Sequence, residues 1–271
     1  MQCGPIRYLV DAKEQAEKRT FEHYLLPRFA TYRSAVTDKG IATIYKDLAE
    51  NEIRNDHIVK DVIKALKDGR TPIVLTERRE HVLLLADKLN GYCKNIVTLF
   101  GTASAKVRRE TIDKLQAIPE NEQLVIVATG KYVGEGFDYP RLDTLFLGLP
   151  IAWKGKVAQY AGRLHRNYPG KNEVQIYDYV DIHVPVLENM YQKRLKGYAA
   201  IGYKIKIDGM PQANPDLIYD GRSFYPVFSE DVRNAKNEIL IVSPFMRKSR
   251  ITQILRLLSE AMLNNAKIVV V

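Results

Sequence analysis

Short hydrophobic runs alternate with longer amphipathic stretches over residues 71–203 of the chain. The runs are rich in Val, Ile and Leu, and turn residues bound each of them. They occupy residues 72–75, 94–100, 124–128, 144–147 and 173–180. Near-continuous apolar runs are typical of strands covered on both faces, and strand–helix alternation produces right-handed crossovers in a parallel sheet. The pattern predicts an α/β domain of the RecA or Rossmann kind.

The segment before this pattern predicts a strand and two helices. Residues 4–10 have the apolar character of a strand. Residues 38–69 predict the two helices, with Asp38 as a possible cap and Gly69 as a stop.

The segment after the pattern predicts a linker and a smaller unit. Residues 206–223 are rich in Pro, Gly, Asn and Asp, which is typical of a linker. Helices are predicted at 228–237 and 251–265, and strands at 238–245 and 266–271. Because parallel strands in a sheet need neighbours, we expect this unit to be an incomplete domain.

The octapeptide QYAGRLHR, residues 159–166, places two arginines three positions apart. Positions three, four and seven apart share one face of a helix. One face then carries Gln159, Gly162, Arg163 and Arg166, and another carries Val157, Tyr160, Ala161 and Leu164. The pattern predicts a helix that packs with one side and presents a carboxamide and two guanidiniums on the other. Such a face could bind an anion, although most exposed arginines on amphipathic helices are solvated charge.

Glycines and an aspartate follow the run at 124–128. Ligands of open parallel sheets bind beyond the carboxyl ends of the strands. This rule favours a site at Thr129, Gly130, Gly134, Gly136 and Asp138. Glycine lets a backbone approach a ligand closely, and Asp138 could accept a hydrogen bond from a ribose hydroxyl. The same residue types are also typical of ordinary turns.

Two phosphate-binding motifs are absent from the sequence. The segment GEGFDY does not fit GxGxxG. The Gly170–Lys171 pair does not fit GxxxxGK[ST], because Asn172 follows it and His165 stands at the first glycine position. An acidic DExx strand end is also missing. The chain therefore cannot build a complete nucleoside triphosphatase site by itself.

The composition is that of a basic globular protein. Lys and Arg number 41 against 32 Asp and Glu, which gives a formal net charge of +9 and favours a polyanionic partner. Cys3 and Cys93 have no partner spacing for a disulfide framework or a zinc site, so no metal site is predicted. No apolar run approaches the roughly 18 residues of a membrane helix, and the first residues lack a secretion signal. We expect a cytoplasmic protein with no membrane partner.

The motifs together resemble those of superfamily 2 helicases and translocases. VIVATGKYVGEGFDYPRLDTLFL followed by QYAGRLHR is similar to motifs V and VI, and PIVLTERREHVLLLADKL is similar to the motif IV region. The resemblance covers about residues 71–203. It implies a RecA-like lobe, a P-loop NTPase fold that lacks its own P-loop. GPIRYLVDA resembles the end of a first lobe, so we expect the chain to contain the second lobe only.

The resemblance implies roles at the ATP site for several residues. In this family the motif VI arginines reach ATP bound on the other lobe, so Arg163 and Arg166 would neutralise charge on the transferred phosphoryl group, with Arg166 as the arginine finger. Gln159 would assist at the phosphates. Gly136 and Asp138 would contact the nucleotide or hold the coupling loop. The missing lobe would supply the P-loop and the Mg²⁺ site.

The resemblance also implies a nucleic-acid partner. Thr76 and Thr129 would meet the nucleic-acid backbone, and the amide of Gly101 is a further candidate for a phosphate contact. Tyr160 stands where RNA-dependent DEAD-box proteins usually carry arginine, and the motif looks more like the restriction-enzyme and DNA-repair branches. DNA is therefore favoured over RNA.

Two further residues have competing interpretations. His165, flanked by arginines, would be a poor general base, because nearby positive charge lowers the pKa of a histidine, and we interpret it as surface packing. Trp153 could stack on a base, although packing against its own domain is the more common role of a loop aromatic.

The tail resembles the opening of a phospholipase D-like domain, in which a strand ends in SPF between two helices. The HxKxxxxD motif of that family is absent, since His183 is followed by Val184 and Pro185. A generic accessory unit would show the same pattern. We divide the chain into residues 1–70 (end of a first lobe, linker and lead-in helices), 71–207 (helicase C-terminal lobe), 208–220 (linker) and 221–271 (partial phospholipase D-like domain).

The favoured function is that of the second lobe of an ATP-dependent DNA helicase or translocase. The fragment alone is expected to be inactive as an enzyme. Two alternatives stay open: a non-catalytic nucleic-acid-binding module, and a phospholipase D-like nuclease formed when the tail is completed.

Overall fold

The computed structural model describes residues 20–30, 32, 40–101, 104–134, 137–151, 154–181, 184–206, 228–229, 231–233, 235–241, 248–263 and 266–270. The chain divides into two units, residues 1–211 and residues 212–271. Five residues named above lie outside the described residues: Cys3, Asp38, Gly136, Trp153 and His183. The strand predicted at 4–10 and the linker beyond Lys206 also lie outside them.

Seven strands of the first unit form one sheet in which every pairing is parallel. They are β1 (Glu22–Phe29), β2 (Pro72–Thr76), β3 (Asn95–Leu99), β4 (Leu124–Thr129), β5 (Thr144–Leu147), β6 (Glu173–Val180) and β7 (Lys204–Ile205). Their order is β3-β4-β2-β5-β6-β1-β7. The predicted parallel α/β sheet is confirmed, and the five predicted runs are β2 to β6.

Strand β1 was not predicted, although it pairs with β6 along its whole length. Its sequence, EHYLLPRF, contains Pro27, and proline is normally excluded from the middle of a sheet because it lacks an N–H. The N–H of Lys206 donates to the carbonyl of Leu25, so the backbone polar groups of Leu25 face β7. Pro27 has the same orientation two residues later, where β7 has already ended. The missing N–H therefore interrupts no pairing with β6.

Helices cover both faces of the sheet. In the first unit they are α1 (Ile41–Glu50), α2 (Glu52–Lys67), α3 (Arg79–Leu89), α4 (Ala105–Gln116), α5 (Gly130–Gly134), α6 (Lys154–Ala161) and α7 (Pro185–Ala200). The side chain of Asn51 accepts a hydrogen bond from the N–H of Arg54 and caps α2. Gly69, with φ +75°, follows the end of α2, as expected for a helix stop. The two helices predicted at 38–69 are confirmed as α1 and α2.

Alternate residues of the central strands belong to two separate cores. Along β4, Leu124, Ile126 and Ala128 pack with residues of α5, α6 and α7. Val125 and Val127 pack on the opposite face with residues of α2 and α3. Because hydrophobic side chains bury both faces of the sheet, we expect polar site residues at the strand ends and in the segments that join the strands.

The described residues of the second unit form a two-stranded parallel sheet and one long helix. Strand β8 (Glu238–Ile241) pairs with β9 (Lys267–Val270), and α8 (Lys248–Leu263) lies between them in sequence. A small core is built around Val232, Leu257, Leu258, Ala261 and Ala266. Residues 228–229 and 231–233 are helical. The smaller α/β unit is therefore confirmed at the level of its elements.

In the parts of the chain described above, no helix combines the length and apolar character needed to cross a membrane.

Candidate functional site

The predicted site residues fall into two groups at different ends of the sheet. Thr76 and Thr129 end the neighbouring strands β2 and β4 and lie in register, so they mark the carboxyl edge. Asp138 follows α5, which carries the chain away from that edge. The carbonyls of Pro140 and Leu142, just after Asp138, accept hydrogen bonds from Lys171, two residues before β6 begins. Asp138 therefore lies toward the amino ends of the strands, and the prediction that it shares a strand end with Thr129 is wrong.

The arginines of QYAGRLHR lie on a tight turn and not on the helix that precedes them. Helix α6 ends at Ala161. Three hydrogen bonds between residues three apart follow it, and the first joins the N–H of Arg163 to the carbonyl of Tyr160 at 3.1 Å. The predicted helix is thus too long, and the glycine at position 162, a poor helix former, is where it stops. The predicted apolar face is confirmed, because Val157, Tyr160, Ala161 and Leu164 are buried. On the predicted polar face, Gln159, Gly162 and Arg166 are exposed, but Arg163 is half-buried.

Arg166 meets Asp138 at the surface. Its Nε atom lies 3.1 Å from each carboxylate oxygen. The side chains of Arg166 and Asp138 are 57% and 40% exposed. An ion pair this open to water contributes between zero and about 1 kcal/mol. Two residues predicted for the same site are therefore adjacent and only weakly held together.

Arg163 is half-buried, and its Nε–H lacks an acceptor. The Nε atom is inaccessible to water and has no hydrogen-bond partner among the described residues. A buried guanidinium N–H without an acceptor destabilises the folded state by about 1–3 kcal/mol. An incoming anion that reached this group would relieve that penalty.

Gln159 connects α6 to α5. Its Nε2 amide donates to the carbonyl of Gly134 at 3.0 Å. The side chain remains exposed at the surface. Gln159 thereby contacts the last residue of α5, two positions before Gly136 in the sequence.

The backbone of Gly101 and the side chain of Thr129 form a direct contact at the carboxyl edge. The Gly101 N–H donates to Oγ1 of Thr129 at 2.9 Å, and the Gly101 carbonyl accepts from Arg108 at 3.1 Å. A β-carbon on Gly101 would lie 2.8 Å from the side chain of Lys131, so this glycine allows a close approach. Arg108 also lies over the ring of Tyr132, 5.1 Å from its centre. The edge at Gly101 is therefore lined by two cations.

Thr76 does not present its hydroxyl to solvent. Its side chain is 2% exposed, and Oγ1 lies 2.9 Å from Nδ1 of His81. The other ring nitrogen of His81 lies 2.9 Å from Oδ1 of Asn55. Burial, followed by the charges of Arg54 and Arg78, lowers the pKa of His81 to about 3. The Thr76 side chain therefore belongs to a buried hydrogen-bond chain, and the contact of Thr76 with a nucleic-acid backbone stays a prediction.

His165 packs inside an aromatic cluster. Its Nε2 atom lies 3.0 Å from the hydroxyl of Tyr203, and its ring lies edge-on to His23 at 4.9 Å between centres. The side chain is half-buried. His165 therefore anchors the turn to β1 and to the segment before β7, and it is more deeply packed than the surface position predicted for it.

Three residues at this site were not singled out from the sequence as functional. Lys131 and Arg108 line the carboxyl edge, and Lys171 joins the segments around Asp138 and Arg166. Lys131 follows Gly130 directly in the motif V segment, which was a usable signal. Among the described residues, no group of three or more His, Cys, Asp or Glu could hold a metal ion.

The fold defines the first unit as a RecA-like α/β lobe. Its sheet is parallel throughout, helices cover both faces, and the site residues lie on strand ends and on the turn after α6. A crystal structure of T4 UvsW has a similar fold, with a TM-score of 0.55 and 20% sequence identity over 68% of this chain and 41% of that one. No protein-family model matches the sequence.

The sequence is similar to poxvirus transcript termination proteins. Transcript termination protein A18 of Fowlpox virus (strain NVSL) is 28% identical over 147 residues, which is 54% of this chain and 31% of that protein. Protein A18 of Vaccinia virus (strain Ankara) is 30% identical over 123 residues, 45% of this chain and 24% of that protein. The chain thus spans about a third or less of the length of these relatives.

Proposed function

We propose that this chain is the second RecA-like lobe of an ATP-dependent superfamily 2 DNA helicase or translocase that acts in the cytoplasm. Residues 71–207 would form the catalytic part of this lobe, and residues 1–70 would lead into it from a first lobe. That first lobe would hold the P-loop and Mg²⁺. Closure of the cleft between lobes would move the nucleic-acid contacts relative to one another.

The observation that carries the proposal is the state of the two arginines. Arg163 has a buried Nε–H without an acceptor, and Arg166 has a weak, exposed partner in Asp138. Planar guanidiniums bind phosphate oxygens through two parallel N–H groups. Both guanidiniums can donate hydrogen bonds to a phosphate without breaking a buried ion pair. They would stabilise the charge on the transferred phosphoryl group, with Arg166 as the arginine finger.

The neighbouring groups would bind the rest of the nucleotide. Gln159 would donate to the phosphates once its bond to Gly134 is exchanged. Asp138 would accept from a ribose hydroxyl when Arg166 turns to the phosphates. Gly136 would approach the nucleotide through its backbone.

The carboxyl edge would bind the nucleic-acid backbone. Gly101 and Thr129 lie there beside Lys131 and Arg108, and the chain carries a net charge of +9. Phosphate contacts by basic side chains supply most of the affinity of sequence-independent binding. Tyr160 in the motif favours DNA as the partner. The names of the poxvirus relatives fit a motor that acts during transcription.

The decisive experiment measures ATP hydrolysis by a polypeptide that contains both lobes. Arg166→Ala is expected to lower kcat about 10³-fold or more, because an arginine finger contributes on that order. Arg233→Ala is the matched control: its Nε atom also lies 3.1 Å from a carboxylate, that of Glu260, at 56% and 38% exposure. Turnover that is unchanged by Arg166→Ala would refute the finger role and favour a non-catalytic binding module.

We also propose that residues 221–271 are the opening of a phospholipase D-like domain. Support comes from the order helix, β8, α8, β9, in which the strands pair in parallel. A longer polypeptide that nicks DNA without ATP would favour a nuclease as the principal activity. Absence of nicking in that polypeptide would favour an accessory role for the tail.

A further inference from the structure

The ammonium group of Lys171 contacts four backbone carbonyls at once. Its Nζ atom lies 2.7 Å from the oxygens of Pro140 and Leu142, 3.1 Å from that of Leu164 and 2.8 Å from that of Arg166. An ammonium has three N–H donors, so these four acceptors use all of them. Lys171 has no donor left for a ligand.

The four carbonyls belong to the two segments that carry the candidate site. Pro140 and Leu142 follow Asp138, whereas Leu164 and Arg166 form the turn of the two arginines. Lys171 therefore connects the backbone that follows Asp138 to the backbone of the turn that carries Arg166. Its own backbone is set by Gly170, whose φ of +78° reverses the chain just before it.

The turn of the arginines needs such a tie. Because α6 has ended at Ala161, the carbonyls of Leu164 and Arg166 lie beyond its regular hydrogen bonding. A cation at the carboxyl end of a helix satisfies such carbonyls and complements the helix dipole. The exposed pair between Arg166 and Asp138 is too weak to hold the turn.

The geometry points to Lys171 as a positioning residue for Arg166: it fixes the backbone of the finger while the guanidinium stays free to leave Asp138 for a phosphate. This inference rests on the proposed function, since it assigns Lys171 a role through the finger. The Gly170–Lys171 pair does not fit a P-loop. In this inference it takes part in phosphoryl transfer by positioning Arg166.

The surroundings of Lys171 make its charge sensitive to alkaline pH. Its pKa is lowered to about 8, mainly by burial and also by the positive charge of Arg70. The negative charges of Asp143 and Asp138 act in the opposite direction and raise the pKa. The ring of Phe21 lies 5.9 Å from the ammonium. Near pH 8 the amine would lose its proton and with it one donor, so the four carbonyls would be held less tightly.

The first test is a double-mutant cycle on ATP hydrolysis, in a polypeptide that contains both lobes. Lys171→Met is expected to lower kcat about 10- to 100-fold with little change in KM for ATP, because a misplaced catalytic group slows the chemical step. The double variant R166A/K171M should be no slower than Arg166→Ala alone, because Lys171 acts through Arg166. Independent, additive losses would overturn the inference.

A matched control separates positioning from general stability. Arg141 lies between Pro140 and Leu142, the two residues whose carbonyls contact Lys171 on the Asp138 side. Its guanidinium donates to the carbonyls of Pro119 and Glu122 and not to the turn that carries the two arginines. Arg141→Met should therefore lower the melting temperature without a comparable loss of kcat. An equal loss of kcat in the Arg141 and Lys171 variants would contradict a specific role for Lys171.

The second test needs no destabilised variant. The kcat of the wild type should fall as pH rises through about 8, and Lys171→Arg should remove this fall, because a guanidinium stays protonated there. An identical alkaline fall in both proteins would overturn the inference. If Arg166→Ala itself leaves turnover intact, the proposed function fails. If Arg166→Ala lowers kcat but the Lys171 variants leave kcat and its pH dependence unchanged, the proposed function stands and this inference alone is refuted.

Discussion

Nε of Arg166 lies 3.1 Å from the carboxylate of Asp138, and both side chains remain substantially exposed to solvent. The two residues are 28 positions apart and come from different loops, so the fold itself brings them together. Because the pair contributes little to folding, Arg166 can change partner at small energetic expense. A residue that must move from a resting position to a phosphate requires this property.

Asp138→Asn is expected to separate folding from nucleotide binding. Removing one charge of an exposed pair should change the free energy of unfolding by less than about 1 kcal/mol. Loss of a charge-assisted hydrogen bond to a ribose should raise KM for ATP about 10-fold or more. Thermal melts of this chain and ATP titrations of a two-lobe polypeptide measure the two effects. Glu260→Gln, which breaks the equivalent pair with Arg233, should leave KM unchanged; the same rise there would contradict the role of Asp138.

The hydrogen-bond chain through His81 makes stability depend on pH. Asn55 donates its amide to the carbonyl of Ala49, so its Oδ1 atom accepts from Nε2–H of His81, and Nδ1 accepts from the hydroxyl of Thr76. This arrangement requires a neutral ring. In the folded state the pKa of His81 is lowered to about 3, mainly by burial, from an ordinary value of 6.5. Between these two values the unfolded chain binds a proton that the folded chain does not.

The free energy of unfolding should therefore fall as pH drops from about 6.5 toward 3. The contribution of one such group is about 1 kcal/mol for each pH unit. Urea denaturation at several pH values measures it. His81→Gln, which can keep both hydrogen bonds but does not titrate, should show a shallower decline over the same range. Parallel curves for the two proteins would mean that His81 is not the group responsible.

Gly130 is expected to tolerate no side chain. A β-carbon at this position would overlap the hydroxyl of Tyr160 and lie 2.9 Å from Oε1 of Glu77. Gly130→Ala should destabilise the lobe by about 1–3 kcal/mol, as other overpacked sites do. Gly134→Ala is the comparison, because its β-carbon would find Gln159 at an ordinary 3.6 Å. Chemical denaturation should recover part of the loss in a Gly130→Ala, Tyr160→Phe double variant; equal stability of the two alanine variants would contradict the steric argument.

The parallel sheet could be predicted because Val, Ile and Leu fill both faces of its central strands. Strand β1 could not, since Pro27 breaks the pattern and only the pairing with β6 and the short reach of β7 make it acceptable. The end of α6 was also missed. The face pattern of residues 157–166 is the same for a helix as for the tight turn that replaces its last part, so periodicity alone does not locate the end.

The sequence names the residues of the candidate site but does not show how the fold groups them. Arg166 and Asp138, both assigned to the ATP site by the resemblance, lie side by side in the structure. The spacing of a motif shows which loops carry its residues, but it does not show which end of the sheet those loops reach. The surroundings of Thr76 and Lys171 could not be predicted for a common reason. Whether a hydroxyl or an ammonium is already saturated by His81 or by four carbonyls depends on long-range contacts that a short motif does not contain.

Lys131 should contribute to nucleic-acid binding through charge. It is exposed beside Gly101 and Thr129, where a phosphate could approach. Lys131→Ala should weaken binding of this chain to single-stranded DNA and reduce the slope of log affinity against log salt by about 1, because one fewer counterion is released. Fluorescence anisotropy across a salt series measures both. Lys114→Ala, an exposed lysine in the last turn of α4, should leave the slope unchanged. Equal slopes for the wild type and the Lys131 variant would place the bound strand elsewhere, and tighter binding to a matched RNA would argue against DNA as the partner.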